Sequence, residues 1–231
     1  GAKKCKNSTI FKKKRIFILF FSAKTKINLT LIFYKKKNNH HKMKNIAVFA
    51  SGSGTNAENL IRFFRTKPGK QVSLVLSNKR EAGVLQRAEN LNVQTFVFDR
   101  TNLYDSEEVL DILRTHKIDF IALAGFLWLI PASLIRAYPG RIVNIHPALL
   151  PGYGGKGMYG KRVHQAVIEN GESRSGITIH YVNEKYDNGD VIFQATCEVK
   201  ETDTPESLAE RIHRLEYAHY PEVIDELLDR I

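Results

Sequence analysis

The sequence predicts an α/β fold: a mostly parallel sheet with an antiparallel C-terminal extension and a final helix. Between residues 45 and 145, short apolar runs rich in β-branched and aromatic residues alternate with segments of helical periodicity. Continuous apolar strands of this kind are typical of a parallel sheet covered by helices on both faces. Two longer strands, separated by a turn-rich segment, then replace the alternation, which indicates an antiparallel addition.

Each element follows from its local pattern. Strands are predicted at residues 46–50, 72–76, 95–98, 120–124 and 141–145, then at 176–183 and 190–200. Helices are predicted at residues 56–65, 82–91, 105–116, 132–138 and 161–170, where apolar residues recur three and four positions apart. Thr204 and Pro205 open the final helix, with Thr as N-cap and Pro at the first helical position.

The charge of the chain is unevenly distributed. Its 231 residues have a formal net charge of +11, which by itself suggests a nucleic-acid or membrane-surface partner. Residues 1–42 contain 13 Lys and Arg and no Asp or Glu, which leaves 22 basic and 24 acidic residues in the body at 43–231. Because phosphate neutralisation needs basic side chains on the folded surface, we predict neither a nucleic-acid nor a membrane partner.

We interpret residues 1–42 as a basic leader that is disordered or not native, and residues 43–231 as a single domain. Met43 is the first methionine and precedes the first strand, so we suspect the native start there. A charged and then apolar run at residues 12–21 also resembles a signal peptide, and an acid-free basic leader suits a transit peptide. No small-residue cleavage motif follows that run, and the leader is not rich in serine.

The two cysteines limit the chemistry of the chain. Cys5 lies in the leader and Cys197 in the body, so the body forms no internal disulfide and no cysteine-based zinc site. We therefore predict a cytoplasmic protein without a metal, and the adjacent His40 and His41 of the leader imply none. No apolar stretch approaches the roughly 20 residues of a transmembrane helix.

A glycine loop at residues 51–56, with the sequence SGSGTN, joins the first strand to the first helix. Glycines allow close backbone approach, and the N–H groups of a helix N-terminus favour an anion. With Ala57 the spacing is G-x-G-x-x-A, so a dinucleotide site is an alternative. The second strand ends in Ser77 and Asn78 rather than an acidic residue, which favours a small phosphorylated substrate instead. A third interpretation is a tight turn that Thr55 or Asn56 caps, without any ligand.

Asn144 and His146 end the fifth strand and face the same side of it. The carboxyl ends of parallel strands are where open α/β sheets bind ligands. An amide that stabilises an oxyanion beside an imidazole that moves a proton suits acyl transfer. Taken alone, an Asn-x-His pair is also a common turn-and-cap arrangement.

Several motifs together resemble the folate-dependent formyltransferases. They are the glycine loop, the sequence LAGF at residues 123–126, NIHPALLP at 144–151 and YDNG at 186–189. The resemblance extends from Met43 to the C-terminus. It implies a Rossmann-like formyltransferase fold and transfer of a formyl group from 10-formyltetrahydrofolate, as co-substrate, to the primary amine of 5-phosphoribosylglycinamide.

The resemblance also implies roles for individual residues. Asn144 would stabilise the oxyanion, His146 would transfer the proton, and Asp187 would tune His146. A carboxylate beside an imidazolium raises the imidazole pKa, so we expect Asp187 to raise that of His146. The residues expected to bind the phosphorylated substrate are Gly54, Thr55, Asn56 and Glu216. Those expected to contact the folate are Leu127, Trp128, Leu129, Ile130, Asn144 and the loop at residues 183–187.

Two features depart from the family. Trp128 stands where an Arg is common, and residues 151–161 form a Gly-rich stretch that looks longer than usual, which we interpret as a mobile flap. His164 and His180 are expected to be structural. The alternatives are a formyltetrahydrofolate hydrolase of the same family and, from a different class, an NAD-dependent oxidoreductase. For the assembly we predict a monomer or a homodimer.

Overall fold

A computed structural model describes residues 42–231 of the chain. The prediction of a basic leader therefore lies outside the described residues. Seven strands occupy Lys44–Phe49 (β1), Lys70–Ser77 (β2), Gln94–Val97 (β3), Ile118–Leu123 (β4), Ile142–His146 (β5), Arg174–Tyr181 (β6) and Val191–Glu198 (β7). Six α-helices occupy Thr55–Phe64 (α1), Gly83–Asn90 (α2), Glu108–Thr115 (α3), Ala132–Ala137 (α4), Lys161–Glu169 (α5) and Pro205–Asp229 (α6).

The strands form one sheet in the order β3-β2-β1-β4-β5-β6-β7. All pairs from β3 to β5 are parallel, whereas β5 with β6 and β6 with β7 are antiparallel. The predicted mostly parallel sheet with an antiparallel extension is therefore confirmed. The order reverses between β1 and β4, so the ends of these strands open the kind of crevice in which α/β sheets bind ligands.

Two apolar layers cover the sheet, and β1 shows how its residues divide between them. Ile46 and Val48 pack in a layer with residues of α1, α2, α5 and α6, whereas Ala47 and Phe49 pack with residues of α3 and α4. All four side chains have no exposed surface. This two-residue alternation, buried on both faces, is why the strand appears in the sequence as an unbroken apolar run.

The third helix starts later than the sequence predicted. Thr101–Asp105 forms a π-helical turn, and α3 begins only at Glu108. Ser106 between them is extended, with φ −138° and ψ 173°, and its hydroxyl accepts the N–H of Glu108 at 3.3 Å. The predicted start at Asp105 is wrong. The apolar spacing in the sequence continues across Ser106, but the backbone of Ser106 is extended and its hydroxyl accepts the N–H of Glu108.

The final helix begins as predicted. Thr204 is its N-cap and accepts the N–H of Ser207, whose hydroxyl accepts the N–H of Thr204, which completes a capping box. Farther along the helix, the buried Tyr220 hydroxyl donates to the carbonyl of Leu123 at 2.9 Å and lies 3.3 Å from that of Val143. These contacts join α6 to the end of β4 and to the first half of β5. Within residues 42–231, no helix is both long and apolar enough to cross a membrane.

Candidate active site

The glycine loop brings the first turn of α1 to the carboxyl end of β1. Gly54 is the N-cap residue of α1, with φ 80°, and a Cβ there would lie 2.5 Å from the Cα of Val84 in α2. Only a glycine therefore fits between the two helices in this conformation. Among the described residues no side chain caps α1, so its first N–H groups, including those of Thr55 and Asn56, are not used by a capping side chain. The interpretation as a capped turn without a ligand is wrong in its cap.

The side chain of Asn56 reaches α6 instead of capping α1. Its Nδ2 atom donates to Oε2 of Glu216 at 2.8 Å, which places two predicted substrate residues in contact. Glu216 is only 6% exposed, and burial raises the pKa of its carboxyl, an effect that the bond from Asn56 partly opposes. The carbonyl oxygen of this amide, Oδ1, is buried and has no partner among the described residues. The two side chains form one polar group between the glycine loop and α6.

Ser51 connects the glycine loop to the predicted folate segment at residues 127–130. Its hydroxyl donates to Oδ1 of Asn78 at 2.6 Å and accepts the N–H of Leu127 at 3.0 Å, while its own N–H donates to the carbonyl of Gly125 at 3.0 Å. The side chain of Ser51 is buried. The ends of β1, β2 and β4 are therefore joined by one hydroxyl group.

Asn144, His146 and Asp187 meet at the carboxyl end of β5, as predicted. His146 Nδ1 lies 3.6 Å from Asp187 Oδ2, and Asn144 Nδ2 lies 3.3 Å from Asp187 Oδ1. His180 completes the group because it pairs with Asn144 across the antiparallel β5 and β6 strands. Its Nε2 lies 3.1 Å from Asn144 Nδ2 and 3.6 Å from Asp187 Oδ1. Its Nδ1 lies 2.8 Å from the carbonyl of Tyr181.

The hydrogen bonds indicate which nitrogens carry protons. A carbonyl only accepts, so His180 donates from Nδ1 to Tyr181, and in its neutral form it accepts the amide N–H of Asn144 at Nε2. His146 likewise donates from Nε2 to the carbonyl of Tyr153 at 2.8 Å. In its neutral form, His146 therefore keeps a lone pair on Nδ1, on the side of Asp187.

Asp187 raises the pKa of His146, as expected, but the net shift of that pKa is downward. Burial lowers the pKa of His146, and this effect exceeds the upward effects of the Asp187 carboxylate and the Tyr153 carbonyl, with His180 adding a smaller downward effect. The charge of the partner alone would raise the pKa, but the imidazole is only 4% exposed and burial penalises its charged form. The pKa of Asp187 is itself lowered, although burial opposes this, because His180, His146 and the N–H of Gly155 favour its charged form.

The Gly-rich stretch contacts both members of this pair through backbone atoms. The carbonyl of Tyr153 accepts from His146, and the N–H of Gly155 donates to Asp187 Oδ2 at 2.9 Å. Neither residue was predicted from the sequence, because a backbone group gives no pattern in the side chains.

Trp128, in the predicted folate segment, lies in a cluster of aromatic side chains and next to an arginine. Trp128 lies 6.1 Å from Phe98, 6.4 Å from Phe126 and 6.3 Å from Tyr104, measured between ring centroids. The guanidinium of Arg100 lies 4.8 Å from the Trp128 ring centroid. This arginine makes no ion pair with any carboxylate in the part of the chain that the structure describes. Its position before the π-helical turn gave no indication of this contact.

The other members of the segment differ in exposure. Leu127 and Leu129 are partly exposed, as is Trp128, whereas Ile130 is 2% exposed and packs in the layer of α3 and α4. Because Ile130 is buried, its side chain belongs to the core.

His164 is also buried, and burial lowers its pKa to about 4. No cluster of three or more potential metal ligands occurs among residues 42–231.

The fold and this arrangement together define a class of protein. A glycine loop that leads into a helix N-terminus follows the first strand, and an amide, an imidazole and a carboxylate meet at the carboxyl edge of the same sheet. This is the architecture of an α/β enzyme that transfers a group between small molecules. Within this class the chain belongs to the formyl transferase family, whose model matches residues 44–224.

Individual relatives agree with this assignment. The chain is 42% identical over 187 residues to "Phosphoribosylglycinamide formyltransferase, chloroplastic" of Arabidopsis thaliana, and this match covers 78% of the chain and 64% of the relative. It is 38% identical over 191 residues to phosphoribosylglycinamide formyltransferase of Bacillus subtilis, with coverage of 80% and 95%. The chain thus spans slightly less than two thirds of the plant relative and nearly all of the bacterial one.

Solved structures give the same result for the fold. Glycinamide ribonucleotide transformylase 1 from Geobacillus kaustophilus has a TM-score of 0.73 at 40% identity and matches 80% of this chain and 99% of its own. Phosphoribosylglycinamide formyltransferase from Streptococcus pneumoniae has a TM-score of 0.71 at 39% identity, with the same coverage. The predicted family and its Rossmann-like fold are therefore confirmed.

Proposed function

We propose that the protein transfers the formyl group of 10-formyltetrahydrofolate to the primary amine of 5-phosphoribosylglycinamide, in de novo purine synthesis. The observation that carries this proposal is the meeting of Asn144, His146 and Asp187 on the sheet edge that also holds the N-terminus of α1, which no side chain of the described residues caps. The names of the relatives support the choice of substrates.

The glycine loop and α6 would bind the phosphorylated substrate. The N–H groups of Gly54, Thr55 and Asn56, which no side chain of residues 42–231 caps, suit a phosphate, because the helix dipole adds to their hydrogen bonds. Glu216 lies 2.8 Å from Asn56 and suits a sugar hydroxyl beside that phosphate, since a buried carboxyl needs a polar partner.

Asn144 would stabilise the oxyanion that forms when the amine attacks the formyl carbon. Its two amide hydrogens bond to His180 at 3.1 Å and to Asp187 at 3.3 Å. The longer bond to Asp187 is the weaker one, so the developing oxyanion would compete with Asp187 for that N–H, while the bond to His180 helps to hold the amide in place.

His146 would move the proton between the two nitrogen atoms of the reaction. Its lowered pKa keeps the imidazole neutral near pH 7, so Nδ1 can take the proton of the attacking amine. The imidazolium then forms next to the Asp187 carboxylate, which stabilises it until the proton passes to the leaving folate nitrogen. No covalent intermediate is needed, because the amine attacks the formyl carbon directly.

The folate would lie along the segment from Leu127 to Leu129, beside the aromatic ring of Trp128. Flat ring systems stack on such side chains, and the backbone of Leu127 is fixed by Ser51. Folate is a co-substrate in this scheme, and no step requires a metal. The proposal also places the reaction in the cytoplasm and leaves the protein a monomer or a homodimer.

The test is to incubate the purified protein with 10-formyltetrahydrofolate, with and without phosphoribosylglycinamide. We expect loss of the formyl group only when the amine is present. Loss without the amine would instead support a hydrolase, and no loss under either condition would reject both folate activities. His146→Ala is the matched variant and should abolish the amine-dependent reaction.

A further inference from the structure

The loop at residues 151–160, which precedes α5, bonds to both His146 and Asp187. The carbonyl of Tyr153 accepts the Nε2 proton of His146, and the N–H of Gly155 donates to Asp187 Oδ2. Between these contacts, a Cβ at Gly154 would lie 3.2 Å from Cβ of Asp187. The loop backbone therefore packs directly on the proton-transfer pair and helps to set the distance between its members.

The side chain of Tyr153 ties this loop to the C-terminal end of α5. Its hydroxyl donates to Oε1 of Glu172 at 2.7 Å and accepts from Nδ2 of Asn170 at 3.0 Å. Its ring packs against the apolar layer that contains α5 and α6. The same residue thus has its carbonyl on the imidazole of His146 and its hydroxyl on the exposed turn that follows α5.

The backbone of Tyr153 needs such a tie. Its φ of 56° lies in the left-handed region, which costs roughly 1 kcal/mol or more for a residue with a Cβ. Surrounding contacts must hold the conformation, and the two hydrogen bonds of the hydroxyl are the polar contacts that the side chain makes.

We propose that Tyr153 is a positioning residue for the formyl transfer, which anchors the 151–160 loop so that its backbone holds His146 and Asp187 together and keeps water from the imidazole. This inference rests on the proposed function and deepens it. Tyr153 acts through His146 and does not touch the reacting atoms.

The consequence for pH follows from what faces His146. The charged or titratable groups near the imidazole are Asp187 on the loop before β7, His180 on β6 and His164 on α5, together with the Tyr153 carbonyl. Burial is the largest of the effects and lowers the pKa. A loosened loop would admit water and relieve this burial, so the pKa of His146 would rise toward its ordinary value.

The experiment compares Tyr153→Phe with the wild-type protein in kcat, in both KM values and in the dependence of kcat on pH. We expect kcat to fall roughly tenfold because the pair is less well held, with both KM values nearly unchanged. The acidic limb of the kcat profile should move to higher pH. Tyr159→Phe is the matched control, since Tyr159 lies in the same loop, is 43% exposed, and its hydroxyl makes no hydrogen bond within the described residues.

Glu172→Ala provides a second variant that leaves the tyrosine ring in the core. It removes one of the two partners of the Tyr153 hydroxyl, so its effect should have the same direction and be smaller. The double variant with Tyr153→Phe should behave as Tyr153→Phe alone, because both changes break the same tie.

Two results would overturn the inference while leaving the proposed function intact: a wild-type kcat and pH profile in folded Tyr153→Phe, or an equal loss in Tyr159→Phe. An inactive wild-type protein would instead reject the proposed function.

Discussion

At the scale of single residues, the pKa of His146 is shifted in opposite directions by the charge of Asp187 and by burial. Asp187 lies 3.6 Å from the imidazole and raises the pKa of His146, yet the burial that comes with the same packing lowers that pKa more. The carboxylate thus stabilises the imidazolium once it forms, while burial keeps the resting imidazole neutral. This combination suits a group that must first accept a proton and then release it.

We predict that Asp187→Asn lowers kcat strongly, by roughly a hundredfold, with little change in either KM. Removal of an upward effect lowers the pKa of His146 further, so the acidic limb of the kcat profile should move to lower pH. Steady-state kinetics between pH 5 and pH 9 would measure both changes. Asp190→Asn, an exposed carboxylate in the same loop, is the control. Near-normal turnover in Asp187→Asn would remove Asp187 from the mechanism.

Gly54 leads to a second prediction at this scale. Gly54→Ala places a Cβ 2.5 Å from the Cα of Val84 at a φ of 80°, so the loop must move away from α2. We expect the KM for the phosphorylated substrate to rise about tenfold or more, equivalent to about 1.4 kcal/mol, while the KM for folate changes little. Gly140→Ala is a matched control, because Gly140 has a φ of 66° and a Cβ there would meet nothing within 4 Å among the described residues beyond its chain neighbours. Equal KM values in the two variants would contradict a phosphate site at this loop.

At the scale of elements, the start of α6 can be predicted from the sequence, whereas the tertiary contacts of α6 cannot. Thr204 and Pro205 predicted the N-terminus of the helix, because the local chemistry of capping is sufficient. The contact of Glu216 with Asn56, and that of Tyr220 with Leu123, join residues at least 97 positions apart. Such pairs depend on how the helix packs on the sheet, which no local pattern contains.

The capping box gives the prediction for this scale. Thr204→Ala removes the acceptor for the N–H of Ser207, so it should lower the free energy of unfolding by about 1 kcal/mol without changing kcat. Urea denaturation monitored by circular dichroism would measure the loss. Thr202→Ala, on the exposed turn before the helix, should have almost no effect. A Thr204→Ala protein as stable as wild type would show that the cap contributes little to α6.

At the scale of the whole molecule, the sequence predicted the fold class and most of the elements, because burial on both faces makes central strands such as β1 and β4 apolar runs. It placed the start of α3 too early, at Asp105, since Ser106 interrupts the helix without interrupting the apolar spacing. The meeting of Asn144, His146 and Asp187 followed from the resemblance and from the rule for strand ends. The backbone acceptor at Tyr153 and the net pKa of His146 required the three-dimensional structure, because they depend on a loop backbone and on burial.

The assembled sheet also explains how two substrates could meet. β1 carries the glycine loop, β4 leads into the folate segment, and β5 carries Asn144 and His146, and these three strands are neighbours in the sheet. Ser51 bonds the first of these segments to the second. A phosphate at one strand end and a folate at the next would bring the amine and the formyl group to the residues at the third.

The proposal that the formyl group passes from folate to the amine without a covalent enzyme intermediate is tested best by following the formyl carbon. The protein is incubated with phosphoribosylglycinamide and 10-formyltetrahydrofolate that carries ¹³C in the formyl group, and the label is located by NMR and mass spectrometry. The proposed mechanism predicts that the label appears on the former amine nitrogen of phosphoribosylglycinamide, in step with tetrahydrofolate release. Label recovered as free formate, or bound to the protein, would contradict it.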